Sequence, residues 1–151
     1  MKKLFHELKK RWKFIEIEKQ KETDYFITYK YTIDRCRDDQ AGIVELEKDR
    51  IILLSKGVDI KYDDMLIDGS ISIIKAYSGT SDMLYDGYDL SVLLLVVYVL
   101  KNVFDDNLFI DNIAYVNDIY LESVKDIYPD IYKRIKENND ERKQIEKMKE
   151  S

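Results

Sequence analysis

Nine consecutive apolar residues, 92–100 (Val-Leu-Leu-Leu-Val-Val-Tyr-Val-Leu), constrain this chain more than any other segment. A membrane span needs roughly twenty such residues, so a run of this length belongs inside a protein. Asp89 or Ser91 can cap it as a helix running to about Phe104, with Asp105-Asp106-Asn107 ending it. A helix that is apolar nearly all round must be covered on most faces. The rest of the chain has to supply that cover.

The upstream half reads as the covering surface. Residues 2–13 predict a helix, because Leu4, Phe5, Leu8 and Trp12 fall on one face with Lys and Arg around the rest. From Phe14 to about Ile74 the period changes to two. Strands are predicted at 14–18, 25–33, 42–47, 51–55, 58–62 and 70–76, with turn-like separators at Lys48-Asp49-Arg50, Lys56-Gly57 and 63–69. Short strands joined by short turns predict an antiparallel meander. Residues 108–116 read as a short helix or hairpin. Residues 118–128 and 129 to about 149 read as two further helices, the second opened by Pro129, with a charged tail expected to fray from about 137. The expectation is one α+β domain over 1–151: a mainly antiparallel sheet at about 14–76, packed by the N-terminal helix and a helical C-terminal half. Residues 44–54 followed by 58–64 resemble the strand pairs of PH-like domains over about twenty residues, a likeness from which nothing about fold or activity is carried over.

Composition excludes several function classes. A hydrophobic content of 45% rules out a disordered chain despite 36% charged residues. Cys36 is the single cysteine, so no intramolecular disulfide can form, and with no secretory signal the expected compartment is cytoplasmic. One proline, five glycines and abundant Lys, Ile, Asn and Tyr fit an AT-rich genome, such as that of a low-GC bacterium or a phage. The glycines form neither G-x-G-x-x-G nor G-K-[ST], which excludes nucleotide binding through those loops. His6 has no cysteine beside it and lies on the charged side of the first helix, so no N/S metal set can be built. Cys36 stands between Arg35 and Arg37 but lacks an orienting base. Asp105, Asp106 and Asp111 with Asn107 and Asn112 offer oxygen donors, yet no glycine or closing glutamate makes an EF-hand loop of them. No cofactor and no metal are expected.

One enzyme pattern can be written down. Asp49 followed by Asp59-Ile60-Lys61 resembles the Asp then acid-x-Lys arrangement of restriction-endonuclease-type nucleases, in which carboxylates hold magnesium and the lysine assists a water. Three acid-x-Lys triplets occur where composition alone predicts about four, so the pattern is no richer than chance. The segment is also acidic, whereas a nucleic-acid site is basic.

Charge is sorted along the chain: +5 over residues 1–37, −12 over 38–130 and +2 over 131–151. An acidic middle attracts basic surfaces and repels nucleic acid. Within it Asp82, Tyr85, Asp86, Tyr88 and Asp89 combine carboxylates with tyrosines, the residue type that anchors interfaces, and Asp63, Asp64 and Asp68 can extend the patch. The leading expectation is a non-enzymatic acidic binding protein, an inhibitor of a basic nucleic-acid-handling protein, of immunity-protein or phage anti-defence type. Its partner would be a basic protein surface, with no direct nucleic acid and no membrane span. The alternatives are a metal-dependent hydrolase using Asp49, Asp59 and Lys61, and a structural or assembly subunit of a phage or mobile element. A homo-oligomer stays open.

Overall fold

The computed structural model describes residues 2–79, 83–106 and 108–117, together with 125–126, 129–130, 132–133, 136–137 and 148. The chain runs α1 (Lys2–Leu8), β1 (Phe14–Glu22), β2 (Phe26–Ile33), β3 (Gly42–Glu47), α2 (Lys48–Ser55), α3 (Tyr62–Asp68) and β4 (Ile71–Lys75). A small hairpin, β5 (Leu84–Tyr85) and β6 (Tyr88–Asp89), leads into the long α4 (Leu90–Asp106) and then β7 (Asn112–Val116). The α+β class follows from a five-stranded sheet in the order β4-β3-β2-β1-β7, every neighbour antiparallel.

The topology explains why α4 must be long and apolar. β4 and β7 lie at opposite edges of the sheet, so the chain between them has to cross its face. Five strands span about 19 Å from edge to edge, and a helix of 17 residues reaches about 25 Å. The face it crosses carries Ile15, Ile17, Ile27, Tyr29, Tyr31, Ile33, Val44 and Leu46, all buried, against the buried Leu94, Leu95, Val99 and Val103 of α4. The period-two pattern of β1 to β3 supplies one side of the core and the apolar run supplies the other.

Polar groups inside this layer are paired. Tyr31 Oη lies 2.7 Å from Ser91 Oγ, and the Tyr29 hydroxyl donates to the Ile110 carbonyl at 2.9 Å. Burial pushes both phenols up from the ordinary tyrosine range. Gly42 sits across from Tyr31 in the ladder, and the Tyr31 ring fills the space a Cβ would need. Asn117 donates its side-chain amide to the carbonyls of Lys9 (2.7 Å) and Trp12 (2.9 Å), which closes the turn after α1.

Several expectations are corrected. α1 stops at Leu8 rather than running to 13, because the chain must reverse to start β1 at Phe14, although Trp12 still buries itself. Residues 51–55 and 58–62 are not strands. Lys48–Ser55 is helical and residues 56–61 connect it to α3. An apolar run as short as Ile51-Ile52-Leu53-Leu54 fits either structure. The helix is selected by its stop: Gly57, at φ 88°, donates to the Leu54 carbonyl at 3.1 Å and Val58 to that of Leu53 at 3.2 Å, the paired bonds of a Schellman end. Gly69, at φ 84°, ends α3 in the same backbone region. The fifth strand comes from 112–116, outside the expected 14–76 range. Most of the two C-terminal helices, and the tail beyond 137 apart from residue 148, lie outside the described residues. Among the described residues no helix is long and apolar enough to cross a membrane.

Two substitutions test this packing. Gly42→Ala drives a methyl into the Tyr31 ring and should lower unfolding free energy by about 1–3 kcal/mol in urea. Leu94 is 1% exposed, so Leu94→Asp buries an unpaired charge and should cost at least about 3 kcal/mol. A cooperatively folded Leu94→Asp protein with an unchanged midpoint would contradict the placement of α4.

Candidate functional site

The acidic-aromatic segment folds as a tight hairpin. Leu84 faces Asp89 and Tyr85 faces Tyr88, leaving Asp86 and Gly87 as a two-residue loop. Both have positive φ, 50° and 81°, which is a type I′ turn and suits the right-handed twist of its strands. Asp-Gly flanked by tyrosines is the sequence signal for such a turn.

The hairpin is mounted on the core at its second strand. Asp89 caps α4, accepting from Ser91 N at 3.0 Å and from Ser91 Oγ, and that hydroxyl meets Tyr31. Asp89 is therefore half-buried and occupied by the fold. Tyr88 lies beside the start of α3: its ring is 6.4 Å from that of the buried Tyr62, and its phenol feels the Asp63 carboxylate. Interaction with the Asp63 carboxylate first, then desolvation and the charge of Asp86, raise the Tyr88 phenol above its ordinary value. Tyr85 is half-buried under the Arg11 guanidinium, 5.3 Å from the ring centroid.

The fold thus gathers Asp63, Asp86, Tyr88 and Asp89, with the exposed Asp64 on the first turn of α3 and Leu84, 67% exposed, on the hairpin. It places Asp68 elsewhere. That residue ends α3, where it accepts from Ser70 N at 2.8 Å and Ser70 Oγ at 2.6 Å and pairs with Arg50 at 2.9 Å. The Ser70 hydroxyl, the Ser70 amide and Arg50 together hold its carboxyl below the usual range. Asp82 lies outside the described residues.

The nuclease pattern loses its geometry. Asp49 occupies the first turn of α2, and Asp59 and Lys61 lie on the connection 56–61, so none of the three is on a strand. Asp111 forms an ion pair with Lys19 on the neighbouring strand, and Asn112 opens β7, so the oxygen donors suggested for a hard cation are partly engaged by the sheet. Among the described residues no group of three or more His, Cys, Asp or Glu is placed to hold a metal ion. His6 is exposed and Cys36 is half-buried against the core. A second acidic area was missed in sequence: a recess of about 230 Å³ on the other face of the sheet, lined by Glu16, Glu18, Lys30, Thr32, Asp38 and Asn112. The outward positions of the period-two pattern contain its strand members. There Lys30 pairs with Asp38, so the recess is less negative than its acids suggest.

The Asp63–Tyr88 contact is open to measurement. In a residue-resolved ¹³C titration Tyr88 should ionise above an ordinary tyrosine, and Asp63→Asn should move it back down. An unchanged Tyr88 titration in that variant would mean the hairpin and α3 are not joined this way. No protein-family model, curated protein or solved structure matches the chain.

Proposed function

We propose that this chain is a non-enzymatic acidic binding protein that occupies the basic surface of a nucleic-acid-handling protein and so inhibits it. The observation that carries the reading is the joined surface of hairpin and α3: exposed Asp63, Asp64 and Asp86 around the half-buried Tyr85 and Tyr88, beside the exposed Leu84. Carboxylates at the rim speed encounter with a basic partner, and tyrosines held by the core supply contact area at little entropic cost. The sequence supports it with a balance of −12 over residues 38–130. A nucleic-acid groove is positive, and carboxylates fixed on a rigid mount can take the place of phosphates in it. Immunity proteins against nuclease toxins and phage anti-defence proteins are of this physical type, and the proposed partner belongs to the class they act on.

Capture from the native host at low and at high salt tests the proposal. A basic nucleic-acid-handling protein should be recovered at low salt and released at high salt, because exposed charges are screened beyond about 8 Å at physiological ionic strength. Asp86→Lys should mainly slow association, whereas Tyr88→Ala should mainly speed dissociation, by roughly tenfold or more. A partner retained equally at both salts, and by an Asp63/Asp64/Asp86 triple-lysine variant, would overturn the proposal.

A further inference from the structure

α4 is covered along its first two turns but opens toward its end. Leu90 to Val96 are all buried, whereas Val97 and Leu100 are partly exposed and Phe104 is 71% exposed. Leu54 of α2, Val97, Leu100, Lys101 and Phe104 line a shallow apolar recess between the two helices. Leu53 and Val58, which close the end of α2, add apolar surface at 42% and 44% exposure. At 100° per residue, Val97, Leu100, Lys101, Phe104 and Asp105 fall within one arc of about 140°. An apolar recess rimmed by an aromatic as exposed as Phe104, on a chain this charged, is a candidate contact surface.

We propose that this stripe is where two copies of the chain pair, α4 against α4, about a two-fold axis. The charge pattern selects the occupant. An axis crossing the helix near residue 103 sets the two helices antiparallel, brings Lys101 of each copy level with Asp105 of the other, and leaves the two Phe104 rings about 3 Å apart along the helix direction. Lys101 and Asp105 are both exposed; Lys101 Nζ lies over the Tyr115 ring of its own chain, 6.0 Å from the centroid, and would turn to the partner, while Asp105 has no ion pair among the described residues. A single patch that carries one charge of each sign around an aromatic is self-complementary, which a two-fold interface requires. The described part of the chain's own C-terminal segment is anchored elsewhere. Tyr132 packs on Phe14, Ala114 and Val116, on the sheet face opposite α4, and Asp130 pairs with Arg35.

This pairing is independent of the proposed inhibitory surface, and salt separates the two. Each copy carries a net charge of −5, so salt screens the repulsion between copies along with the Lys101–Asp105 attraction, and the dimer, held by apolar contact, should persist at high salt, where the acidic surface lets go. Sedimentation of the full chain across a concentration series is the test. The wild-type chain should be a dimer, and Phe104→Glu should raise its dissociation constant by roughly a hundredfold; at dilutions where both chains are monomeric the melting transition should be unchanged, because the side chain is exposed. Lys101→Asp and Asp105→Lys should each weaken it by roughly tenfold, and the double reversal should restore it, since opposite charges again face each other. A wild-type monomer throughout the series, a dimer indifferent to Phe104→Glu, or a double reversal as weak as the single ones would each overturn the arrangement.

Discussion

A hydrogen-bonded chain through Tyr31, Ser91 and Asp89 ties the parts of this protein together. Tyr31 stands on β2, the middle strand of five, and its buried hydroxyl meets Ser91 at the start of α4. Ser91 in turn binds the Asp89 carboxylate that caps the helix and ends the hairpin. The ring reaches this position only because Gly42 on β3 leaves room, and Tyr77 stacks on it with centroids 6.1 Å apart. One buried phenol therefore sets where the apolar helix enters the core. Removing its partner would leave a desolvated hydroxyl, which costs more than the net worth of the bond.

From that anchor the proposed binding surface follows mechanically. The hairpin is fixed at its second strand, because its last residue is the helix cap and the Tyr88 ring lies against that of Tyr62. Arg11 lies on Tyr85 and also pairs with Glu7 at 3.0 Å, which brings the basic N-terminal segment against one flank of the hairpin. Negative charge is thus concentrated on the side facing α3. A preorganised acidic surface loses little freedom on binding, which is what a tight-binding inhibitor requires.

Legibility in the sequence tracked how many physical rules each segment obeyed at once. β1, β2 and β3 combine period two with β-branched and aromatic residues and could be read directly. So could α4, whose nine apolar residues and Asp cap agree. The Ile51–Leu54 run satisfies a strand and a helix equally, and Gly57 decides it only through a backbone angle. β7 was ambiguous for a different reason. Asn112 to Val116 gains its identity from pairing with β1, a contact about a hundred residues away in sequence. Of the site, Asp63, Asp86, Tyr88 and Asp89 were visible as residue types, but their adjacency came from α3 folding as a helix, which the sequence reading had as strand and turn. Asp68 was grouped with them by proximity in sequence and is engaged by Ser70 and Arg50.

Amide correlation spectra during titration with a lysine- and arginine-rich peptide test the central claim most directly, because they locate cation binding residue by residue. The account predicts that perturbations at low ionic strength cluster at Asp63, Asp64 and residues 84–89 and vanish as salt is added. Perturbations centred instead on Glu16, Glu18 and Asp38 across the sheet, or spread evenly over all exposed carboxylates, would contradict it.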